Sequence, residues 1–295
     1  MQQPSASHPR SPWPGLLALV ACAALWSLNG PLIKLLHHAE VPGITIAFYR
    51  SIIGGLAFLP LAWPRRSTAR KVPWYWPAAT ILVFTIMTAS FVIANTRTTA
   101  SNAIVLQYTS PLWVFLLSPL LLGERSSRAE GAVMSIAMAG VAVIFAGNPA
   151  ADLPGLGWAL LSGWGYGTLT VLLRKLRPVS PTVVSALNAL GSGILLLGPS
   201  LLWGRLTLDK HELVILLILA LVQFTFPYFL FSWALQRIGA HKASLLLLLE
   251  VVLNPVWTFF AVGERPSHAT LIGGPLILLG VASAILIGSR KAAQG

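Results

Sequence analysis

Long apolar runs dominate this 295-residue chain and constrain its fold more than any other feature. A helix that crosses a bilayer needs about 20 mostly apolar residues. Runs such as LLLLLEVVL do not alternate in polarity, which argues against a transmembrane β-barrel. The sequence therefore predicts an all-α polytopic membrane protein with ten transmembrane helices, near 16–36, 44–63, 74–94, 102–122, 131–147, 155–173, 182–203, 212–235, 243–262 and 271–289.

The composition excludes the main soluble classes. Only 9% of the residues are charged, against about 25% in soluble domains, and the mean hydropathy is +0.76. These values exclude a water-soluble enzyme, a nucleic-acid-binding domain and a disordered chain. The single cysteine, Cys22, excludes an internal disulfide framework and a cysteine-based metal cluster. The connections between runs are short, so we expect no soluble domain.

The distribution of Lys and Arg predicts the orientation in the membrane. Assigned to alternating sides of the ten runs, 14 of them fall on the side of the N-terminus and five on the other, with Arg50 inside a run. The positive-inside rule then places both termini in the cytoplasm. The net charge of +12 is explained by topology, so we expect no nucleic-acid partner. Residues 1–15 are polar and proline-rich, and we interpret them as an uncleaved cytoplasmic tail.

The chain repeats itself at an offset of 140 residues, and four charged positions match. Lys34 falls on Arg174 and Arg97 on Arg237, and the Gly-Glu-Arg triplets at 123–125 and 263–265 also coincide. Each unit contains five predicted helices, 16–148 and 155–290. An odd number forces the second unit to enter the membrane from the opposite side. Such inverted repeats are typical of secondary transporters that bind substrate near the midplane.

Several motifs carry a resemblance to a known family. The stretch TTASNAIVLQYTSPLWVFLLSPLLLGER resembles the fourth-helix signature of EamA-type members of the drug/metabolite transporter superfamily, and so does SWALQRIGAHKASLLLLLEVVLNPVWTFFAVGER around the ninth helix. The resemblance implies ten helices, cytoplasmic termini and export of small metabolites across a bacterial inner membrane. Val251 stands after Glu250 where the family usually has proline, and Pro255 is expected to break the ninth helix instead.

Polar and aromatic residues in mid-span are the candidates for a substrate cavity, because Trp and Tyr normally gather at the membrane interfaces. Trp26 and Asn29 share a predicted helix face with Cys22, and Gln107 and Tyr228 are further candidates. The alternative interpretation is close helix packing with aromatic filling. The predicted substrate-binding residues are Trp26, Asn29, Tyr108, Trp113, Trp164, Tyr166, Gln223, Glu250 and Asn254.

Glu250 is the one acidic residue well inside a run, where a carboxylate is costly unless it is paired, hydrated or protonated. Asn254 and Trp257 are expected on its helix face, and Arg50 is a conceivable partner. Three roles stay open: contact with a substrate ammonium, proton carriage, or a structural hydrogen bond between helices. Glu124 and Glu264 end apolar runs, and we interpret each as a cap for the first amides of the next helix rather than as a gate.

The sequence thus predicts alternating-access export of small organic solutes, with amino acids favoured and aromatic or hydrophobic ones first. Buried charge is too scarce for a multiply charged sugar phosphate. Proton-coupled multidrug efflux is the alternative, and lipid scrambling is a candidate from another class. The motifs of an intramembrane enzyme or a nucleotide-driven pump are missing, so no catalytic residue, metal or cofactor is expected. The predicted partners are a small-molecule substrate and the bilayer, and no oligomeric state is assigned.

Overall fold

The computed structural model describes residues 13–123, 128–235, 237–238 and 240–294. Ten helices in these residues are long and apolar enough to cross a membrane, which confirms the predicted fold class and makes the chain a multi-pass membrane protein. We number them span 1 to span 10: Trp13–His38, Gly43–Lys71, Tyr75–Arg97, Ala100–Leu122, Ala129–Gly147, Ala150–Leu173, Pro181–Trp203, Lys210–Leu235, Lys242–Val262 and His268–Ile287.

Spans 1, 4 and 9 are interrupted near their middles, whereas span 6 runs as one α-helix over Leu153–Leu173. Span 8 is continuous but contains a π-helical stretch over Ile218–Thr225. The interrupted spans consist of the α-helices Trp13–Trp26 and Asn29–His38, Ala100–Gln107 and Ser110–Leu122, and Ala240–Leu247 and Leu249–Val262.

Two of the interruptions have proline in the first turn after the break, and the third does not. Pro31 and Pro111 occupy the starts of the second helices of spans 1 and 4, where a proline costs no backbone hydrogen bond. The prediction that Pro255 breaks span 9 is wrong, since it lies inside Leu249–Val262. The break falls at Leu248, seven residues earlier, whereas the clash of a proline ring reaches only about four residues back.

Close glycine contacts come in pairs related by the 140-residue offset. Gly140 of span 5 approaches Gly273 of span 10 so closely that a methyl group on either would meet the other's carbonyl oxygen. At the offset positions, Gly280 meets the Val133 backbone in the same way. A methyl group on Gly15 would likewise contact Arg237 and Ile238, and one on Gly155 would contact Arg97 and Thr98. Each contact between the two halves therefore has a counterpart in which the roles of the halves are exchanged. A two-fold axis between inverted five-helix repeats requires this correspondence.

The same symmetry governs how the spans pack. Span 2 lies against span 7 and span 5 against span 10, so each of these pairs joins the two repeats across the axis. Span 3 packs on span 6 and span 1 on span 8. Span 4 also contacts span 6, and span 9 contacts span 1. Spans 1, 4 and 9, the three interrupted ones, therefore meet one another or share neighbours at the centre of the bundle.

Candidate functional site

The interruptions of spans 1, 4 and 9 bring three polar side chains together. Glu250 follows the break in span 9 and is 8% exposed. Its Oε1 accepts from the Asn29 side-chain amide at 3.3 Å, and its Oε2 accepts from the Tyr108 hydroxyl at 2.7 Å. Asn29 opens the second helix of span 1, and Tyr108 stands at the break of span 4. Each break thus contributes one member of this cluster.

Side chains of the second repeat also satisfy the backbone that the break in span 1 frees. The Asn254 amide donates to the Ser27 carbonyl at 3.1 Å and to the Asn29 Oδ1 at 2.9 Å. The Gln223 amide, from the π-helical stretch of span 8, donates to the Trp26 carbonyl at 3.1 Å. An unsatisfied backbone group at membrane depth costs several kcal/mol, so these bonds make the broken helix tenable.

We call Asn29, Tyr108, Gln223, Glu250 and Asn254 the polar network. Two of its acceptor atoms, Asn254 Oδ1 and Gln223 Oε1, are buried and have no hydrogen-bond partner within the described part of the chain. An unpartnered buried acceptor is uncommon in native proteins and is typical of a place where a ligand or water binds. With the Glu250 carboxylate, the polar network therefore contains several acceptor oxygens, which suits it to a group that donates several hydrogen bonds.

Aromatic rings continue from the polar network towards one end of the bundle. Trp26 contacts Tyr228 edge-on with the centroids 5.4 Å apart, and Tyr228 contacts Phe224 at 5.7 Å. Phe224 in turn lies 6.2 Å from Phe84. The last three of these rings border an aromatic cavity of about 70 Å³, which is lined by Phe58, Phe84, Leu169, Leu173, Val184, Ser185, Asn188, Phe224 and Tyr228.

Six of the nine predicted site residues make hydrogen bonds at the breaks in spans 1, 4 and 9: the five of the polar network and Trp26, whose carbonyl Gln223 binds. Their role in binding stays a prediction. Trp113 instead packs against Gly167 of span 6. Trp164 is half-buried, and Tyr166 is 37% exposed. Tyr166 interacts electrostatically with Glu250. None of these three has a hydrogen bond to the polar network among the described residues.

Three expected neighbours of the network make no hydrogen bond to it within the described residues. Cys22 and Asn29 do not share one continuous helix face, because the helix ends at Trp26, and the Cys22 thiol donates to the Pro227 carbonyl at 3.4 Å. Trp257 is 37% exposed, whereas Asn254 is fully buried. Gln107 donates to Ser162 at 2.7 Å, between spans 4 and 6.

Arg50 is not the partner of Glu250. Its guanidinium donates to the Thr88 hydroxyl, and its Cζ lies 5.4 Å from the centroid of the Phe224 ring. The carboxylate of Glu250 is already bound by two neutral donors, Asn29 and Tyr108. The sequence indicated that both charges lie inside spans but gave no signal for their separation.

Glu264 caps a helix, but not the next one as predicted. It accepts from the Ala100 backbone amide at the start of span 4, at 2.7 Å, and its other oxygen lies 2.6 Å from Lys34 Nζ. The next helix is capped by Ser267, whose hydroxyl accepts from the Thr270 amide at 3.1 Å. The connection before span 10 folds back onto the first repeat, so the carboxylate meets span 4 first. Glu124 lies outside the described residues.

Sequence reasoning missed Phe224 and Asn188 of the aromatic cavity. The aromatic cluster FTFPYF at 224–229 is a signal for the first, because it places four rings within six mid-span residues, whereas Trp and Tyr normally gather at the membrane interfaces. Nothing in the sequence distinguishes Asn188 from a helix-packing amide. Its Oδ1 is buried without a partner among the described residues.

Comparison with known proteins gives a consistent result. The EamA-like transporter family matches this chain twice, at residues 13–146 and 153–286. A protein of Archaeoglobus fulgidus described as an uncharacterized transporter is 30% identical over 81% of this chain and 85% of its own length. A probable terminal-alkyne amino-acid exporter of Streptantibioticus cattleyicolor is 27% identical over 92% of this chain and 93% of its own length.

Two further matches extend this result. A pseudopaline exporter of Pseudomonas aeruginosa is 26% identical, covering 90% of this chain and 93% of its own length. A solved crystal structure superposes with a TM-score of 0.64 at 22% identity, covering 94% of this chain and 98% of the other. At that level of identity the structural likeness shows the fold alone.

Proposed function

This chain belongs to the EamA-like transporter family, and we propose that it exports amino acids or related amphipathic metabolites, aromatic and hydrophobic ones first. Membership of the family by itself supports transport of a small molecule. We propose in addition that transport proceeds by alternating access through a central cavity between the repeats. The proposal also places the protein in a bacterial inner membrane with both termini in the cytoplasm, as the Lys and Arg distribution predicts.

The single observation that carries the proposal is the polar network around Glu250. A substrate ammonium offers three donors, and the polar network offers a carboxylate and two amide oxygens without a partner in the described residues, Asn254 Oδ1 and Gln223 Oε1. A buried carboxylate attracts a cation strongly, because the surrounding dielectric constant is low. The adjacent Trp26 and Tyr228 rings provide an apolar surface for a side chain.

The names of two relatives favour organic solutes of this kind. One is described as a probable terminal-alkyne amino-acid exporter and the other as a pseudopaline exporter. Proton-coupled efflux of lipophilic drugs is the second candidate. A mid-membrane carboxyl such as Glu250 is also the kind of group that carries protons in transporters.

Counterflow in proteoliposomes tests the proposal. The purified protein should exchange radiolabelled phenylalanine against unlabelled amino acid. Glu250→Gln should raise the KM for phenylalanine at least tenfold while changing that for 3-phenylpropionamide, which lacks the ammonium, by less than threefold. Glu212→Gln is the matched control. Glu212 is also buried, but it lies in the first turn of span 8, where it forms a capping box.

The same preparation separates the alternatives. Absence of counterflow for a panel of amino acids contradicts amino-acid export. Ethidium accumulation that depends on an imposed pH gradient and is lost in Glu250→Gln would favour proton-coupled drug efflux instead. Equal effects of Glu250→Gln on phenylalanine and on its uncharged analogue would remove Glu250 from ammonium recognition.

A further inference from the structure

Arg50 is a buried cation in the membrane that has no acidic partner in the described part of the chain. It is 6% exposed, and the ion pairs there join Lys34 to Glu264 and Arg205 to Glu212. One guanidinium nitrogen donates to Thr88, and Nε has no partner among the described residues. Arginine stays charged in proteins, and a charge at membrane depth is costly unless it has a function or a partner.

The guanidinium lies one aromatic ring away from the aromatic cavity. Its Cζ is 5.4 Å from the centroid of Phe224, and Phe224 lines the cavity. Gly54, one turn along span 2 from Arg50, permits this arrangement, because a methyl group there would lie within 3 Å of the Phe224 ring. The ring is therefore packed directly on the helix that carries Arg50.

The aromatic cavity itself has the character of a ligand site. Four aromatic side chains form much of its wall, and Asn188, 5% exposed, contributes a buried Oδ1 without a partner in the described residues. Small-molecule sites are mostly apolar and carry a few polar groups. With a volume of about 70 Å³, the aromatic cavity has room for one end of a small solute and not for a whole molecule.

We propose that the aromatic cavity binds the apolar end of the solute and that the charge of Arg50 makes this cavity favour solutes with a carboxylate over those that are only cationic. This inference deepens the proposed function and rests on it in taking the cavity as part of the solute's path. The mechanism is electrostatic: an unpaired positive charge behind one apolar ring acts on the cavity through a medium of low dielectric constant. Direct contact between Arg50 and the carboxylate is not needed.

Direct binding of two simple probes tests this without any transport. The probes are 3-phenylpropionate and 2-phenylethylamine, which share a phenyl ring and an ethylene chain and differ in the sign of their charge. Dissociation constants are measured by calorimetry on the full-length purified protein. In Arg50→Gln the ratio of the amine's Kd to the acid's Kd should fall at least tenfold relative to the unchanged protein. Arg50→Lys should keep the ratio within threefold.

Lys175→Gln is the matched control. Lys175 also lies over an aromatic ring, Trp76, at 5.5 Å, but it is only half-buried, so removing its charge should leave the ratio within threefold. Phe224→Leu tests the inference from the opposite direction and does not remove the charge. Removing the ring that screens the guanidinium should raise the same ratio at least threefold, even if Arg50→Gln fails to fold.

An unchanged ratio in folded Arg50→Gln overturns the inference, as does an unchanged or lower ratio in Phe224→Leu. Failure of both probes to bind the unchanged protein also overturns it. The proposed function has a separate outcome. If amino-acid counterflow is absent but the ratio shifts as expected, the amino-acid proposal fails and the charge selectivity of the cavity stands.

Discussion

The ion pair between Lys34 and Glu264 ties the first repeat to the second, and replacing Glu264 by Gln should weaken that tie by a measurable amount. Lys34 Nζ lies 2.6 Å from the carboxylate and 2.8 Å from the Thr98 carbonyl. The side chains are 9% and 19% exposed. Glutamine keeps an acceptor for the Ala100 amide but removes the charge, so Lys34 keeps only its bond to Thr98.

The magnitude follows from the burial of the pair. Breaking a buried pair by removing one partner costs about 3–5 kcal/mol, and exposed pairs contribute about 0–1 kcal/mol. Because Glu264 retains some exposure and its capping bond survives as an amide, we expect Glu264→Gln to lower the free energy of unfolding by about 2–3 kcal/mol. Adding Lys34→Met to the Glu264→Gln variant should lower the free energy of unfolding only a little further. The coupling energy between the two residues should therefore be about 1.5 kcal/mol or above.

The assay is a double-mutant cycle on reversible unfolding in mixed micelles, followed by circular dichroism. The control pair is Arg205 and Glu212, which are 2.5 Å apart but whose arginine is 40% exposed, so its coupling should stay below about 1 kcal/mol. A coupling energy for Lys34 and Glu264 no larger than that of the control pair would refute the argument from burial.

Two more predictions concern topology and packing. In a Cys22→Ala background, a single cysteine at the exposed position of His268 should label from outside intact cells and one at the exposed position of Ser67 should not, and outside labelling of the Ser67 position contradicts the orientation drawn from the basic residues. Gly140→Ala should lower the free energy of unfolding by about 1–3 kcal/mol, because its Cβ would lie 2.5 Å from the Gly273 carbonyl oxygen. Gly157→Ala, with open space around its Cβ, should be neutral or stabilising by up to about 1 kcal/mol, and thermal unfolding that shifts equally in both variants would contradict the close approach.

The ten spans were predictable because membrane length and apolarity are local properties of the chain. The break at Leu248 was not, because leucine is a good helix former and no proline or glycine adjoins it. Its partner break at Tyr108 lies at the same place in the repeat, so the offset of 140 relates the two. A break shared by both repeats becomes visible only when one of them is known in three dimensions.

Glu250 was identifiable from the sequence as a mid-span acid, but its partners were not. Asn29 and Tyr108 lie 221 and 142 residues away, and only the crossing of spans 1, 4 and 9 brings them to the carboxylate. Arg50 is the converse case, because its charge was equally visible but its neighbours, Thr88 and Phe224, have no charge to suggest a pairing. Composition reveals which groups are costly in a membrane, whereas tertiary packing decides what offsets the cost.

The break in span 1 has no counterpart in span 6, and this inequality bears on the energetics of a transport cycle. In alternating access through an inverted repeat, the two halves exchange conformations, so identical halves would give inward-open and outward-open forms of equal free energy. In this chain the two forms should differ in free energy, because the halves are not identical. At the 140-residue offset, Asn29, Arg50, Glu250 and Asn254 correspond to Leu169, Leu190, Ser110 and Val114. If the chain works by the proposed alternating access, residues present in one half alone contribute to the resting orientation of the empty carrier, and moving a polar residue to its counterpart position should shift that orientation.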